Sequence, residues 1–298
     1  MARIFAAADI GSNTLHLLVG ATDGELVTRI DNLSEWIGLG EVVARQGFIS
    51  PERVDHLLQA LKECRRVATS RKAEAMYVFA TEAMRSARNH EQVLEKIKKG
   101  IGIDVEIITP HREVELSIEG SKLDIDNGHP EIFFEVGGGS AQVALIKRKK
   151  LADHISLPLG TGRVIARAGL TNPCPLSALN KAERYIADVL KPVTLAQPKK
   201  AIAVASGGVA RGLWRAVHTD GEKTIFAKEL EYLQWSTARL TLDRIGSRFG
   251  VKQRRAQTLL PGSMVYRALM EKFGVAEITV SEFGVREGAI LEMARGRI

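Results

Sequence analysis

Ala8-Asp9-Ile10-Gly11-Ser12-Asn13-Thr14-Leu15-His16-Leu17-Leu18-Val19 is matched later in the chain by Phe134-Glu135-Val136-Gly137-Gly138-Gly139-Ser140-Ala141-Gln142-Val143-Ala144-Leu145. Each runs through apolar residues, an acid, one apolar residue, glycine, small polar residues, and apolar residues again. That order reads as strand, tight turn, strand, with a carboxylate closing the first strand. Glycine lets backbone amides approach an anion, and the small polar side chains add hydroxyl or amide contacts. Two copies, a lobe's length apart, predict two related lobes facing one phosphate-bearing ligand.

The rest of the chain fits that architecture. Its 298 residues allow two domains, and 45% hydrophobic with 26% charged residues is ordinary for a globular core. Strands are expected at Ile4 to Ala8, Leu15 to Val19, Glu25 to Ile30, Met76 to Ala80 and Val105 to Ile108. Helices are expected from Ser50-Pro51 onward, where Pro suits the first helical position, around Val93 to Ile97, and over Glu113 to Gly120. The polar stretch Asp124 to Pro130 marks the expected boundary between lobes 1–124 and 125–298, with the last helix free to pack back on the first lobe. In the second lobe, strands are expected at Ile132 to Phe134, Ala141 to Ile146, His154 to Leu157, Ala201 to Val204 and Ile278 to Val280. Helices are expected at Leu176 to Leu190, Glu229 to Ile245 and Pro261 to Phe273. Strands and helices in two matched sets give an α/β fold class, two lobes with helices packed on the sheets and the glycine turns gathered at a central cleft.

Charge and cysteine content narrow the chemistry. The balance of 42 basic and 35 acidic residues leaves +7, which favours anionic ligands. Lys147-Arg148-Lys149-Lys150, Lys199-Lys200 and Lys252 with Arg254-Arg255 are the basic clusters, and aromatic residues do not interleave with them. Nucleic acid is therefore disfavoured as a partner. The first basic cluster sits between two apolar runs and reads as a solvated hairpin turn. Cys64 and Cys174 have no metal-ligand spacing, no apolar stretch reaches the roughly 18 residues of a membrane span, and no signal peptide is evident. A cytoplasmic, membrane-free protein is expected. Gly-x-x-x-x-Gly-Lys-Ser/Thr, His-Glu-x-x-His and Gly-x-Ser-x-Gly are all absent.

Further glycine turns follow strands. Ser206-Gly207-Gly208 precedes a helical pattern and would aim helix N-terminal amides at an anion. Gly160-Thr161-Gly162-Arg163 is another such turn. Thr81-Glu82-Ala83-Met84-Arg85 also follows a strand, and the Arg85 guanidinium can fork onto phosphate oxygens. Glu113 and Glu115, just past Pro110, can serve as a base toward water or simply solvate a helix surface.

Taken together, Ala8 to Thr14, Ala80-Thr81-Glu82-Ala83-Met84-Arg85-Ser86-Ala87-Arg88-Asn89, Glu135 to Ser140, Ser206 to Gly208, Pro261-Gly262 and Ser281-Glu282-Phe283-Gly284-Val285-Arg286-Glu287-Gly288 resemble the exopolyphosphatase and guanosine pentaphosphate phosphatase family, nearly end to end. That family belongs to the actin, sugar-kinase and chaperone-ATPase superfold, which implies two actin- or ribonuclease-H-like lobes with a central interlobe cleft. The resemblance implies a phosphoanhydride hydrolase that removes terminal phosphate from polyphosphate or guanosine pentaphosphate, a function tied to the stringent response. It implies Glu113 as the base that activates water and Arg85 as the holder of the terminal phosphate. Gly11, Ser12, Asn13, Gly137, Gly138, Gly139, Ser140, Gly207 and Gly208 would cradle phosphate. Asp9 and Glu135 would stand on the side of a divalent metal, magnesium above others. The chain departs from the family pattern at Glu135, where aspartate is usual, at Gln142, where glutamate is usual, and at Glu115, where arginine is common. It resembles the short form of the family, and a homodimer is compatible with it. A non-catalytic phosphate sensor or a small-molecule kinase on the same scaffold are the alternatives.

Overall fold

The computed structural model describes residues 2–125, 130–196, 201–218 and 221–298. Residues 126–129 of the expected boundary, and the Lys199-Lys200 pair, lie outside the described residues. The chain divides into two compact units, Met1–Leu123 with Phe283–Ile298, and Asp124–Glu282.

The first unit is built on β1 (Arg3–Ile10), β2 (Thr14–Thr22), β3 (Val27–Trp36), β4 (Ala75–Ala80) and β5 (Glu106–Ile107), in the order β3-β2-β1-β4-β5. β1 pairs antiparallel with β2 and parallel with β4. Alternation along β1 sends Ala6, Ala8 and Ile10 to one face of the sheet and Phe5, Ala7 and Asp9 to the other. The first face packs against α1 (Leu39–Gln46), α2 (Pro51–Ser70) and α4 (His90–Ile101) through Leu57, Leu61, Cys64, Val93 and Ile97. Burial pushes the Cys64 thiol up to about 12, so it stays protonated and serves as a packing group. The second face is covered by α5 (Pro110–Ser121) and α12 (Val285–Ala294), through Leu116, Ala289 and Ile290.

The second unit repeats this plan. Its sheet runs β10-β11-β9-β6-β7-β8, from β6 (Ile132–Val136), β7 (Ala141–Lys147), β8 (Lys150–Leu157), β9 (Ala203–Ser206), β10 (Thr224–Phe226) and β11 (Glu277–Val280). β6 is antiparallel to β7 and parallel to β9, as β1 is to β2 and β4. The likeness between the two turns is thus an identity of topology: β8-β7-β6-β9-β11 reproduces β3-β2-β1-β4-β5 strand for strand, with β10 added at one edge. Ile132, Phe134 and Val136 enter one large core with residues of α6 (Thr161–Ala168), α7 (Leu176–Leu190), α8 (Gly207–Val217), α9 (Ala227–Arg239), α10 (Leu242–Phe249) and α11 (Gln253–Phe273).

Two expectations need correction. The single helix expected over Glu229 to Ile245 is two, because Leu240 is extended and the Thr241 hydroxyl caps a new helix at the Arg244 amide. Pro261 does not start a helix but lies fully inside α11.

Candidate active site: two half-sites at strand ends

In the first unit, Asp9 is the penultimate residue of β1 and Gly11, Ser12 and Asn13 form the turn to β2. The Gly11 amide donates to the Thr14 carbonyl at 3.1 Å, closing the turn. Its outward carbonyls are then consumed by the next helix and the residues leading into it: Ser12 O accepts from Gly40 N at 2.6 Å, and Asn13 O from Ile37 N and Gly38 N at 2.9 Å. A Cβ on Gly40 would stand 2.8 Å from that of Ser12, so the close approach requires glycine.

β4 ends beside this turn, with Thr81 N donating to Ile10 O at 3.2 Å. The short helix α3 (Glu82–Ser86) follows and carries Arg85. Arg85 is held on two sides: Nη1 donates to the Ile108 carbonyl at 2.6 Å and Nη2 to Glu113 at 3.0 Å, with Glu82 at 3.5 Å. Glu113 sits in the first turn of α5, where the Thr109 hydroxyl accepts from Arg112 N and Pro110 begins the helix. Both side chains are mostly buried, Arg85 at 15% and Glu113 at 16% exposure. A cation that matches phosphate therefore stands beside a carboxylate that can take a proton. Glu115 points elsewhere, to His111 and Arg112.

The second unit builds a similar turn. Glu135 is the penultimate residue of β6, and Gly137 N donates to Ser140 O at 2.9 Å. The carbonyls of Gly137, Gly138 and Gly139 accept from Thr161 N, Gly162 N and the Arg163 Nε respectively. Turn oxygens engaged in this way do not present lone pairs to an anion. Gly160 makes the contact achievable, because a Cβ there would lie 2.3–2.4 Å from the backbone of Gly138 and Gly139. Ser206, fully buried, ends β9 opposite Glu135, and α8 starts at Gly207, where φ is +89° and a Cβ would press on the Glu135 carboxylate. Arg255 donates to the Gly208 carbonyl. Tyr266, buried in α11, bridges the two strand ends by accepting from Val136 N and donating to Ser206 O. Burial raises its phenol pKa, so it remains a neutral strut. Gly160 and Arg255 were visible in the sequence as a turn and a cluster; Tyr266 carried no signal at all.

Gln142 lies opposite Glu135 across the β6–β7 ladder and is 2% exposed. Its Nε2 is 3.4 Å from the Ser140 hydroxyl, and its Oε1 accepts no hydrogen bond among the described residues. A buried acceptor left in this state is costly unless a ligand completes it. No group of three or more His, Cys, Asp or Glu that could hold a metal occurs among the described residues. Magnesium does not need such a cage, since it binds through one or two carboxylates, waters and substrate phosphates. In the second unit the Glu135 carboxylate and the amide oxygen of Gln142, paired across the ladder, are hard oxygen donors of that kind and fit it; in the first unit the Asp9 carboxylate is a donor of the same kind.

The chain is similar to known proteins along nearly its whole length. Exopolyphosphatase 1 of Mycobacterium tuberculosis (strain H37Rv) is 27% identical over 295 residues, covering 95% of this chain and 86% of its own. Exopolyphosphatase 2 of the same strain is 24% identical over 315 residues, covering 97% and 98%. In fold, the chain is similar to the crystal structure of the Aquifex aeolicus Ppx/GppA family member, with a TM-score of 0.83 at 24% identity and 99% of both chains covered. An exopolyphosphatase from Cytophaga hutchinsonii superposes with a TM-score of 0.87 at 22% identity, covering 99% and 98%. No helix among the described residues is long and apolar enough to cross a membrane. The model of the Ppx/GppA phosphatase family matches residues 18–296, and with the two-lobed actin-like fold repeated strand for strand, the chain belongs to that family of phosphoanhydride hydrolases.

Proposed function

We propose that this protein hydrolyses the terminal phosphoanhydride bond of inorganic polyphosphate, with guanosine pentaphosphate as the other substrate the same chemistry accepts. The observation that carries this reading is the Arg85–Glu113 pair, 3.0 Å apart and mostly buried, at the strand ends that also carry Asp9 and the Gly11 turn. Arg85 engages the terminal phosphate while the Ile108 carbonyl keeps its guanidinium in place. Glu113 then exchanges its partner for water and takes a proton as the water oxygen attacks phosphorus. The bridging P–O bond breaks, orthophosphate departs, and the shortened chain leaves with the electron pair on its new terminal oxygen. Phosphoryl transfer asks mainly for positioning and charge stabilisation. The Gly11–Asn13 and Gly137–Ser140 turns and the α8 N-terminus at Gly207 and Gly208 supply that by binding phosphate oxygens. A bound divalent cation neutralises phosphate charge; Asp9, Glu135 and Gln142 would hold it. The free thiols Cys64 and Cys174 suit a cytoplasmic place of action.

The direct test is orthophosphate release from long polyphosphate and from guanosine pentaphosphate, without any acceptor, with and without Mg²⁺ or Mn²⁺. Metal-dependent release is expected, and phosphate transfer only when an acceptor is present would overturn the hydrolase reading. The metal position has its own test. Gln142→Glu places an extra carboxylate where burial is nearly complete, so the metal-free variant is expected to melt below the parent. Mn²⁺ should restore that loss and bind about tenfold more tightly by calorimetry, since hard cations prefer carboxylates. A lower melting temperature that Mn²⁺ does not restore would remove Gln142 from the metal position.

A further inference from the structure

β7 and β8 meet at Lys147-Arg148-Lys149-Lys150, four consecutive exposed cations. Lys147 pairs with Lys150 across the ladder, so the loop is only Arg148 and Lys149. Both have left-handed backbones, with φ of +51° and +62°. A two-residue turn of this kind is favoured when built from Asn-Gly or Asp-Gly, because a side chain with a Cβ is strained there. Lys147 and Lys150 add a like-charge pair placed directly opposite, which is also unfavourable. Among the described residues, no ion pair with a carboxylate relieves any of the four. The turn breaks two local rules, and Asn-Gly at positions 148 and 149 would satisfy the first of them. Departures of this kind mark a functional constraint.

The position of the hairpin indicates what the charge serves. β7 starts at the Gly137–Ser140 turn and ends at Lys147; β8 returns from Lys150 to Leu157, and the segment after it donates Thr161, Gly162 and Arg163 to that same turn. β8 is the edge strand of its sheet. Six steps along β7, at about 3.4 Å each, put the cationic tip roughly 20 Å from the turn. No aromatic side chain flanks the tip for a base to stack on. Resting on the hydrolase reading above, we propose that the Lys147–Lys150 hairpin is a distal subsite for the polyphosphate chain, holding phosphates many units away from the one released. A long linear polyphosphate spans the distance between turn and tip. Tripolyphosphate and guanosine pentaphosphate are too short to do so, and the hairpin therefore selects chain length.

The double variant R148N/K149G tests this, because it keeps the turn, relieves its backbone and removes two charges. It is expected to melt higher than the parent and yet to show a KM for long polyphosphate raised about tenfold at low salt, the difference shrinking as salt screens it. Its kcat, and its KM for tripolyphosphate, should match the parent. An unchanged KM for long polyphosphate overturns the subsite, as does an equal shift on tripolyphosphate, which would signal a local disturbance. If the parent releases no phosphate from any substrate, the hydrolase reading fails separately. Calorimetric binding of long polyphosphate to parent and variant then decides the hairpin alone. Loss in the variant of oligo-dT binding, with polyphosphate binding intact, would assign the tip to nucleic acid and overturn the proposal.

Discussion

Glu113→Gln is expected to lower kcat for orthophosphate release by about 10²–10⁴-fold, the usual contribution of a positioned general base. Polyphosphate affinity should not weaken. The amide has the shape of the carboxylate and still offers an oxygen to Arg85 Nη2, which now lies 3.0 Å from Glu113. Arg85 also keeps its bond to the Ile108 carbonyl. What disappears is the negative charge that competes with phosphate for the guanidinium, together with the basicity that accepts the proton from water. Exchanging a charged hydrogen bond for a neutral one at this mostly buried position costs about 1–2 kcal/mol, too little to unfold the protein.

The comparison with Glu113→Ala separates catalysis from scaffolding. If Glu113 served only to hold Arg85, the glutamine variant would keep most of its turnover and only the alanine variant would lose it. If Glu113 is the base, both fall together, and KM for polyphosphate stays level or drops. Single-turnover phosphate release with a thermal melt of each variant reads both quantities. Turnover of the glutamine variant within tenfold of the parent would remove Glu113 from the proton-transfer step.

How much of this site was legible in the sequence follows from where each interaction originates. The acid–glycine turns were readable because their chemistry is local: strand, carboxylate, glycine and small polar residues all fall within a dozen positions. The duplicate topology could be anticipated from them, and the sheets bear it out through β1 and β6. The Arg85–Glu113 pair was not readable as a pair. The partners lie 28 residues apart, and they meet only because β4 and β5 run parallel and release α3 and α5 at the same ends. The engagement of turn carbonyls by α1 and α6 was hidden for the opposite reason. Gly40 and Gly160 look like breakers in a linear reading, whereas here they mark close backbone approach. Pro261 misled similarly: proline favours a first helical turn, but α11 is buried along so much of its length that packing overrides the local preference.

Gly288→Ala is expected to be among the most destabilising single substitutions in the chain, against the sign of helix propensity. In an exposed helix the change would stabilise by up to about 1 kcal/mol. Here a Cβ on Gly288 would lie 1.9 Å from the Leu116 carbonyl oxygen, and one on Gly120 would lie 2.0 Å from that of Gly284. The contacts are reciprocal: Leu116 and Gly120 are one turn apart on α5, and Gly284 and Gly288 one turn apart at α12. Neither obstacle is a side chain that can rotate away, so α12 must lift from α5. That opens the packing of Leu116 against Ala289 and Ile290. A loss of about 3 kcal/mol is expected from overpacking of this kind, or roughly 6–12 °C in melting temperature for a chain of this size class. Gly274→Ala is the control, with φ of +62° and nothing within 4 Å of the added methyl, so that only backbone strain of about 1–2 kcal/mol acts there. A Gly288→Ala melting temperature no lower than that of Gly274→Ala would show that the helix contact is not close. Because α5 carries Glu113 in its first turn, lifting α12 should also lower kcat, whereas the Gly274 control should leave it unchanged. The glycines that let α12 pack against α5 are therefore expected to set the position of Glu113.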